Sequence, residues 1–241
     1  MTVTLSGMAG TAFAAVFKAL KTLRPDRPIH PSGVALTGTI EKRLGNTGSG
    51  ILWVDSPGSD QVNARLSRSV GAPSGWPDII GLALRITSEA GPADVLLAST
   101  PMSWPGRLLL TPHRHASNSK LTSLMPYKGA KGPVLLAART DQPGPCLPAT
   151  PDAFRQALNT GTWTLGLYHA RPAGPWIRFG SLALTLDPDK TDTPTRFDPL
   201  TRTLPGAETY KWASRLREPS YAAAREPVRH RCAPTIRCQP R

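Results

Sequence analysis

Residues 24–41 read RPDRPIHPSGVALTGTIE, with one histidine set between two prolines and then a run that alternates as a strand does. Pro31 restricts the backbone of His30, so the ring is carried on a stiff stem just before an extended segment. Working outward, short runs of the same kind recur, each bounded by Gly, Pro, Asp or Ser: QVNARLS, GLALRI, ADVLLAS, GRLLL, PVLLAAR, TWTLGLYHA and WIRFGSLALTL. With GVALTGTIE they make eight candidate strands. A mainly β, α+β fold follows: a closed or nearly closed antiparallel barrel with helical additions.

The helices frame the barrel. Phe13, Val16, Phe17, Leu20 and Leu23 fall at helical spacing, so residues from about 10 to 23 read as an N-terminal helix that Pro25 stops. Thr150 to Asn159 reads as a capped helix, with Thr150 as N-cap and Pro151 as first residue. Residues 187–206 hold too much Pro, Asp and Thr for regular structure and are expected to cross the surface as an extended connection. A last helix from about 207 to 225 contains Pro219, which kinks or splits it. Residues 1–225 are expected to form one domain. Residues 226–241 have no apolar periodicity and read as a disordered basic tail.

The chain has 241 residues, 26 prolines, 21 glycines and a formal net charge of +13, which turns attention to anionic partners. The basic residues are scattered and do not alternate with aromatics, which argues against nucleic acid. An acidic membrane surface or an anionic small molecule stays open, as does a homo-oligomer. Three cysteines, Cys146, Cys232 and Cys238, have no metal-ligand spacing and cannot all pair. A reducing, cytoplasmic and bacterial setting is the expectation. The apolar N-terminus has no positive residue before Lys18, unlike a signal peptide, and no stretch is long enough to span a membrane.

Common catalytic motifs are missing: there is no Walker A loop, GxGxxG, HExxH or GxSxG. His113 and His115 in TPHRHASNSK lack an evident third ligand and read as part of a solvated loop. Asp187 and Asp189 read as solvating groups. His30 stands out through its company. RPIHPSGVALTGTIE resembles the segment that carries the essential histidine into the first barrel strand of haem catalases. In order along the chain, NARLS (63–67) resembles the catalase ARFS strand, PDIIGLALRI (77–86) its D-x-R-G segment, and ADVLLASTP (93–101) its D-L-V-G-N-N-T-P. FDP (197–199), PG (205–206) and RLREPSYAAAR (215–225) are similar to the later catalase segments that end on the proximal tyrosine.

The resemblance implies a reduced, divergent catalase-like barrel and a haem-dependent oxidoreductase, a catalase or peroxidase, acting on hydrogen or organic peroxide. It implies haem b, with Tyr221 as the metal ligand on the iron, His30 as distal base, Ser67 orienting that ring, and Arg27 and Arg65 holding propionates. A phenol ligates ferric iron well only as phenolate, and Arg217 lies one helical turn before Tyr221, where it would lower the phenol pKa. A histidine with a pKa near 6.5 can carry a peroxide proton from one oxygen to the other.

The chain also departs from the catalase pattern. Ala98 stands where the family has its distal asparagine, with Ser99 beside it; Ile80 replaces the arginine of D-x-R-G; Leu66 replaces the phenylalanine of ARFS. Loss of the asparagine favours peroxidase-type chemistry over fast dismutation. Two rivals follow. One is a catalase-fold protein without haem that uses the barrel cavity to bind or hydrolyse a small anionic ligand, a phosphodiesterase-type reading. The other is a basic interaction module without chemistry, in which His30 is an ordinary loop histidine and Tyr221 an ordinary helix tyrosine. An arginine inside a strand, as Arg65 is, needs an anion or carboxylate in either case.

Overall fold

The computed structural model describes residues 32–43, 48–88, 91–213 and 215. The expected N-terminal helix at 10–23, the helical segment beyond 215 and the tail at 226–241 lie outside the described residues.

Eight strands close on themselves. They are β1 (Gly33–Lys42), β2 (Gly58–Arg68), β3 (Asp78–Ser88), β4 (Gly91–Ser99), β6 (Lys120–Thr122), β8 (Gly132–Thr140), β9 (Trp163–Ala170) and β10 (Ile177–Leu186). Each pairs antiparallel with the next in that order, and β10 returns to β1. Closure leaves no exposed barrel edge to template aggregation. Three short pairings lie outside the ring: β5 (Pro112–His113) beside β3, β7 (Tyr127–Gly129) beside β8, and β11 (Glu208–Thr209) beside β7.

Side-chain alternation fixes which face is which. Val34, Leu36 and Ile40 of β1, Val62, Ala64 and Leu66 of β2, Ile80, Leu82, Leu84 and Ile86 of β3, and Ala93, Val95 and Leu97 of β4 are buried and form one core. β1 and β10 approach closely enough that a Cβ at Gly38 would collide with the Ala183 carbonyl, so only glycine fits there. A short helix, α1 (Leu52–Asp55), carries the buried Trp53, which donates through Nε1 to Asp60 (3.0 Å) and packs edge-on against Phe179. α2 (Pro151–Leu158) leans on β1 and β10 and buries Phe154 against Trp163.

Seven of the eight expected strands form. The exception is GRLLL: Gly106–Leu108 is a single 3-10 turn and its leucines are exposed, while the short KLT of β6 takes the vacant place in the ring. The expected helix from 207 also begins later, because Glu208 and Thr209 pair with β7 as β11. Thr150 takes the N-cap position of α2 without a side-chain bond; its carbonyl accepts from Phe154 N–H (2.8 Å). The histidine pair is less solvated than expected, since His113 lies in β5, His115 bridges to Pro148, and Ala116 and Ser117 are buried.

Candidate functional site

Among the described residues, one void of about 20 Å³ inside the barrel is lined by apolar groups such as Ile40, Trp53, Leu84, Leu97, Leu136 and Phe179. Small-molecule pockets run to roughly 300 Å³ and more, and an anion there would have no polar partner. This part of the interior offers no room or polar partner for a ligand.

The polar groups lie on the opposite face of the same strands. Ladder pairing sets Gly33, Ser67, Gly81, Ala98 and Thr122 in one row across β1, β2, β3, β4 and β6. The next row is Ala35, Arg65, Ala83 and Leu96, and the one below it Thr37, Asn63, Arg85 and Asp94. Around Arg65 and Ser67 the side chains at 33, 35, 81, 83 and 98 are a methyl group or nothing. The strip from β1 to β4 is about 14 Å wide, three strand spacings. It makes a floor of small residues with one cation and one hydroxyl.

Arg65 is nearly fully buried, and its guanidinium donates to both oxygens of Asp192, Nε to Oδ1 at 2.7 Å and Nη2 to Oδ2 at 2.9 Å. Such a planar two-bond fork is the strongest way a guanidinium holds a carboxylate. Gly33 N–H adds a third bond to Asp192 Oδ2 at 3.0 Å. A Cβ at Gly33 would lie 2.8 Å from Arg65 Cζ and 2.6 Å from the Leu66 carbonyl oxygen, so the missing side chain makes room for the arginine. Asp192 arrives on the connection after β10, which continues beside the upper half of β1: Asp187 N–H donates to the Ala35 carbonyl and Ala35 N–H to the Thr191 carbonyl.

Lower on this face the same connection is clamped. Asp94 is fully buried and accepts from Arg85 Nε and Nη2 (both 2.8 Å) and from Asp198 N–H (2.7 Å), with Arg202 Nη1 at 3.8 Å. The bond to Asp94 holds the Arg85 guanidinium above its ordinary pKa, against the opposing pull of burial. Arg85 also lies over the Phe197 ring, 5.3 Å from its centroid. Residues 197–202 are thus tied down below, and Asp192 is held on Arg65 above.

Of the expected site residues, Arg65 and Ser67 are described: both are buried, two positions apart on one strand and on one face. His30, Arg27, Arg217 and Tyr221 lie outside the described residues. Ala98 stands in the row of Ser67 with no polar atom of its own side chain. Ser99 does not replace the asparagine, because its hydroxyl donates to the Thr111 carbonyl (2.6 Å) and accepts from Ile80 N–H. The nearest polar substitute in the row is Thr122, hydrogen-bonded to Thr100 at 2.7 Å. Neither Thr122 nor Asp192 carries a local sequence signal. Asp192 is 127 residues from Arg65, in a stretch whose acidic groups look merely solvating. Among the described residues no group of three or more His, Cys, Asp and Glu could hold a metal ion, and no helix is long and apolar enough to cross a membrane.

This geometry defines a catalase-like fold, and comparison with solved structures agrees. A bacterial catalase matches with a TM-score of 0.56 and 15% identity over 90% of this chain and 63% of its own. A fungal catalase matches with a TM-score of 0.59 and 16% identity over 87% of this chain and 60% of its own. The chain thus spans somewhat under two thirds of the length of these catalases. No family model and no curated protein matches it.

Proposed function

We propose that this chain is a haem-binding oxidoreductase of catalase fold, acting on hydrogen or organic peroxide in a peroxidase-type reaction. The observation that carries the reading is Arg65: a buried guanidinium on a floor of Gly and Ala that already grips a carboxylate through two bonds. Asp192 stands in for the carboxylate of a ligand, and a propionate has the same chemistry. A planar group with carboxylates at its rim fits such a donor set.

Bound haem b supplies the redox-active iron. The chain's own residues do the rest. Arg65, with Arg27, neutralises propionate charge. Ser67 orients the His30 ring, and His30 takes the peroxide proton from one oxygen and delivers it to the other. Tyr221 would hold the iron as phenolate, with Arg217 lowering its pKa. The methyl of Ala98 gives peroxide no hydrogen bond, which disfavours rapid dismutation. The test is expression with haem supply, followed by an absorption spectrum and a peroxidase assay. A Soret band that changes in Tyr221→Phe supports the reading; a protein that stays colourless through haemin titration sinks it.

One observation favours a second reading. Arg65 is already neutralised by the chain's own Asp192, so the same floor serves as a haem-free site for a small anionic ligand. In that case haemin leaves the spectrum unchanged, while an organic phosphate or dicarboxylate gives saturable heat on calorimetric titration that Arg65→Ala abolishes.

A further inference from the structure

Between Thr100 and Thr111 the chain leaves the barrel and returns, and the excursion is pinned from beneath. Ser99 bonds to Thr111 at its two ends through Thr111 N–H to the Ser99 carbonyl (2.8 Å) and the Ser99 hydroxyl to the Thr111 carbonyl. Arg107 points inward and is buried. Its guanidinium donates to the carbonyls of Arg171 (3.0 Å), Gly174 (3.2 Å) and Met102 (3.0 Å) and stacks over Trp176. Trp176 Nε1 donates to the Met102 carbonyl as well (2.7 Å).

What this anchor holds outward is apolar. Trp104 is 55% exposed, Leu108 50%, Leu109 64% and Leu110 45%. Arg107 N–H bonds to the Ser103 carbonyl and Leu108 N–H to the Pro105 carbonyl, so Trp104 and Leu108 stand one turn apart. Solvent-facing surface does not ordinarily spend a tryptophan and three consecutive leucines on one ten-residue loop. β5 sets beside it the 69–77 loop, which exposes Trp76.

The sequence that carries the loop is basic, although Lys128 within it pairs with Glu208 (2.7 Å). From Val95 to Thr140 the sequence contains no aspartate or glutamate, yet it carries Arg107, Arg114, Lys120, Lys128, Lys131 and Arg139. Arg114, Lys120 and Lys131 are exposed. Lys120 sits at the root of the excursion, where its carbonyl accepts Thr100 N–H (2.9 Å), and its charge helps hold the His113 pKa down.

We propose that this loop is a membrane-surface anchor: Trp104 and Leu108–Leu110 enter the interfacial layer of a bilayer while Arg114, Lys120 and Lys131 meet anionic headgroups. Tryptophan favours that layer, leucine side chains gain from leaving water, and each nearby cation adds attraction to an anionic leaflet. The complementarity of this predominantly basic rim selects an anionic lipid surface over a neutral one. The inference is independent of what the Arg65 site binds.

The test is flotation of the full chain with vesicles of phosphatidylcholine alone and of phosphatidylcholine mixed with phosphatidylglycerol. The wild type is expected to float with the anionic vesicles only. Leu108→Ser, Leu109→Ser and Leu110→Ser combined, at exposed positions that cost the fold little, is expected to lower partitioning about tenfold or more. Arg114→Glu with Lys120→Glu is expected to lower it as well, more at low salt than at high. Absence of flotation overturns the proposal. So does equal flotation of the triple-serine variant, which would make binding a matter of net charge. A concentration-dependent dimer that the triple variant abolishes, without vesicle binding, overturns it too and makes the loop a contact between copies.

Discussion

Inside the barrel, β1 to β4 present Val34, Leu36, Leu66, Leu82, Leu84 and Leu97 to one apolar core; outside, the same strands present Gly33, Ala35, Arg65, Ser67, Gly81 and Ala98. The inner face is rich in shape and poor in chemistry, and the outer face is the reverse. One set of backbones carries both because successive side chains point opposite ways. The difference teaches that, among the described residues, chemistry-bearing side chains of β1 to β4 gather on the wall while shape is packed within.

The largest expected effect tests the inner face. Phe179→Ala removes a ring that lines the void and packs edge-on against Trp53, and is expected to cost about 3–5 kcal/mol in a urea unfolding curve. A loss within experimental error would mean that the interior is looser than its packing implies.

Next comes the clamp on the outer face. Asp94→Ala strips Arg85 of its carboxylate and Asp198 N–H of its acceptor, with an expected cost of about 3 kcal/mol, the low end for broken buried pairs because Arg85 is partly exposed. Proteolysis within residues 187–202 is expected to quicken in the same variant, since this is the segment that Asp94 ties down. Unchanged cleavage there would separate the clamp from the connection it is said to hold.

A smaller effect on stability, and a larger one on binding, belongs to the upper pair. Asp192 is about one third exposed, so solvent screening limits the Arg65 ion pair to about 1 kcal/mol, and Asp192→Asn is expected to unfold only slightly earlier. The same substitution frees the guanidinium for an external carboxylate and is expected to tighten ligand binding. Weaker binding in Asp192→Asn would make the aspartate part of the site instead of its occupant.

The smallest effect is in pH. Burial, aided by the charge of Lys120, holds the His113 pKa below its ordinary value near 6.5, so the folded chain favours the neutral ring. Its contribution to stability is complete above that ordinary value and is lost as pH falls below it toward the depressed one, because the unfolded chain then binds the extra proton. His113→Gln is expected to flatten the stability profile on the acid side of neutrality, as read by unfolding midpoints across pH.

Barrel strands such as GVALTGTIE, QVNARLS and TWTLGLYHA were legible because they alternate over seven or more residues between turn residues. GRLLL misled because three successive leucines have no period of two and Pro105 stands at the head of the run; hydrophobicity without alternation does not place a side chain on one face. KLT was too short to show a period at all. The helix expected from 207 loses its start to β7, whose edge offers Glu208 and Thr209 a partner and Lys128 a charge for Glu208. At the site, Arg65 announced its need for an anion, because an arginine set within a strand needs a carboxylate or other anion to offset its burial. Which carboxylate answered was not legible, since the pair is joined only through the path of the closed barrel and its connection. His30, Arg27, Arg217 and Tyr221 rest on sequence order alone.

The most direct measurement is haemin titration of the wild type beside Arg65→Ala, followed in the Soret region. A ligand held at the outer wall is expected to give a saturating band at one haemin per chain in the wild type, with affinity about tenfold weaker in Arg65→Ala, the worth of a charge-assisted pair of hydrogen bonds. No saturable band, or one that Arg65→Ala leaves unchanged, would contradict the assignment of haem to that wall.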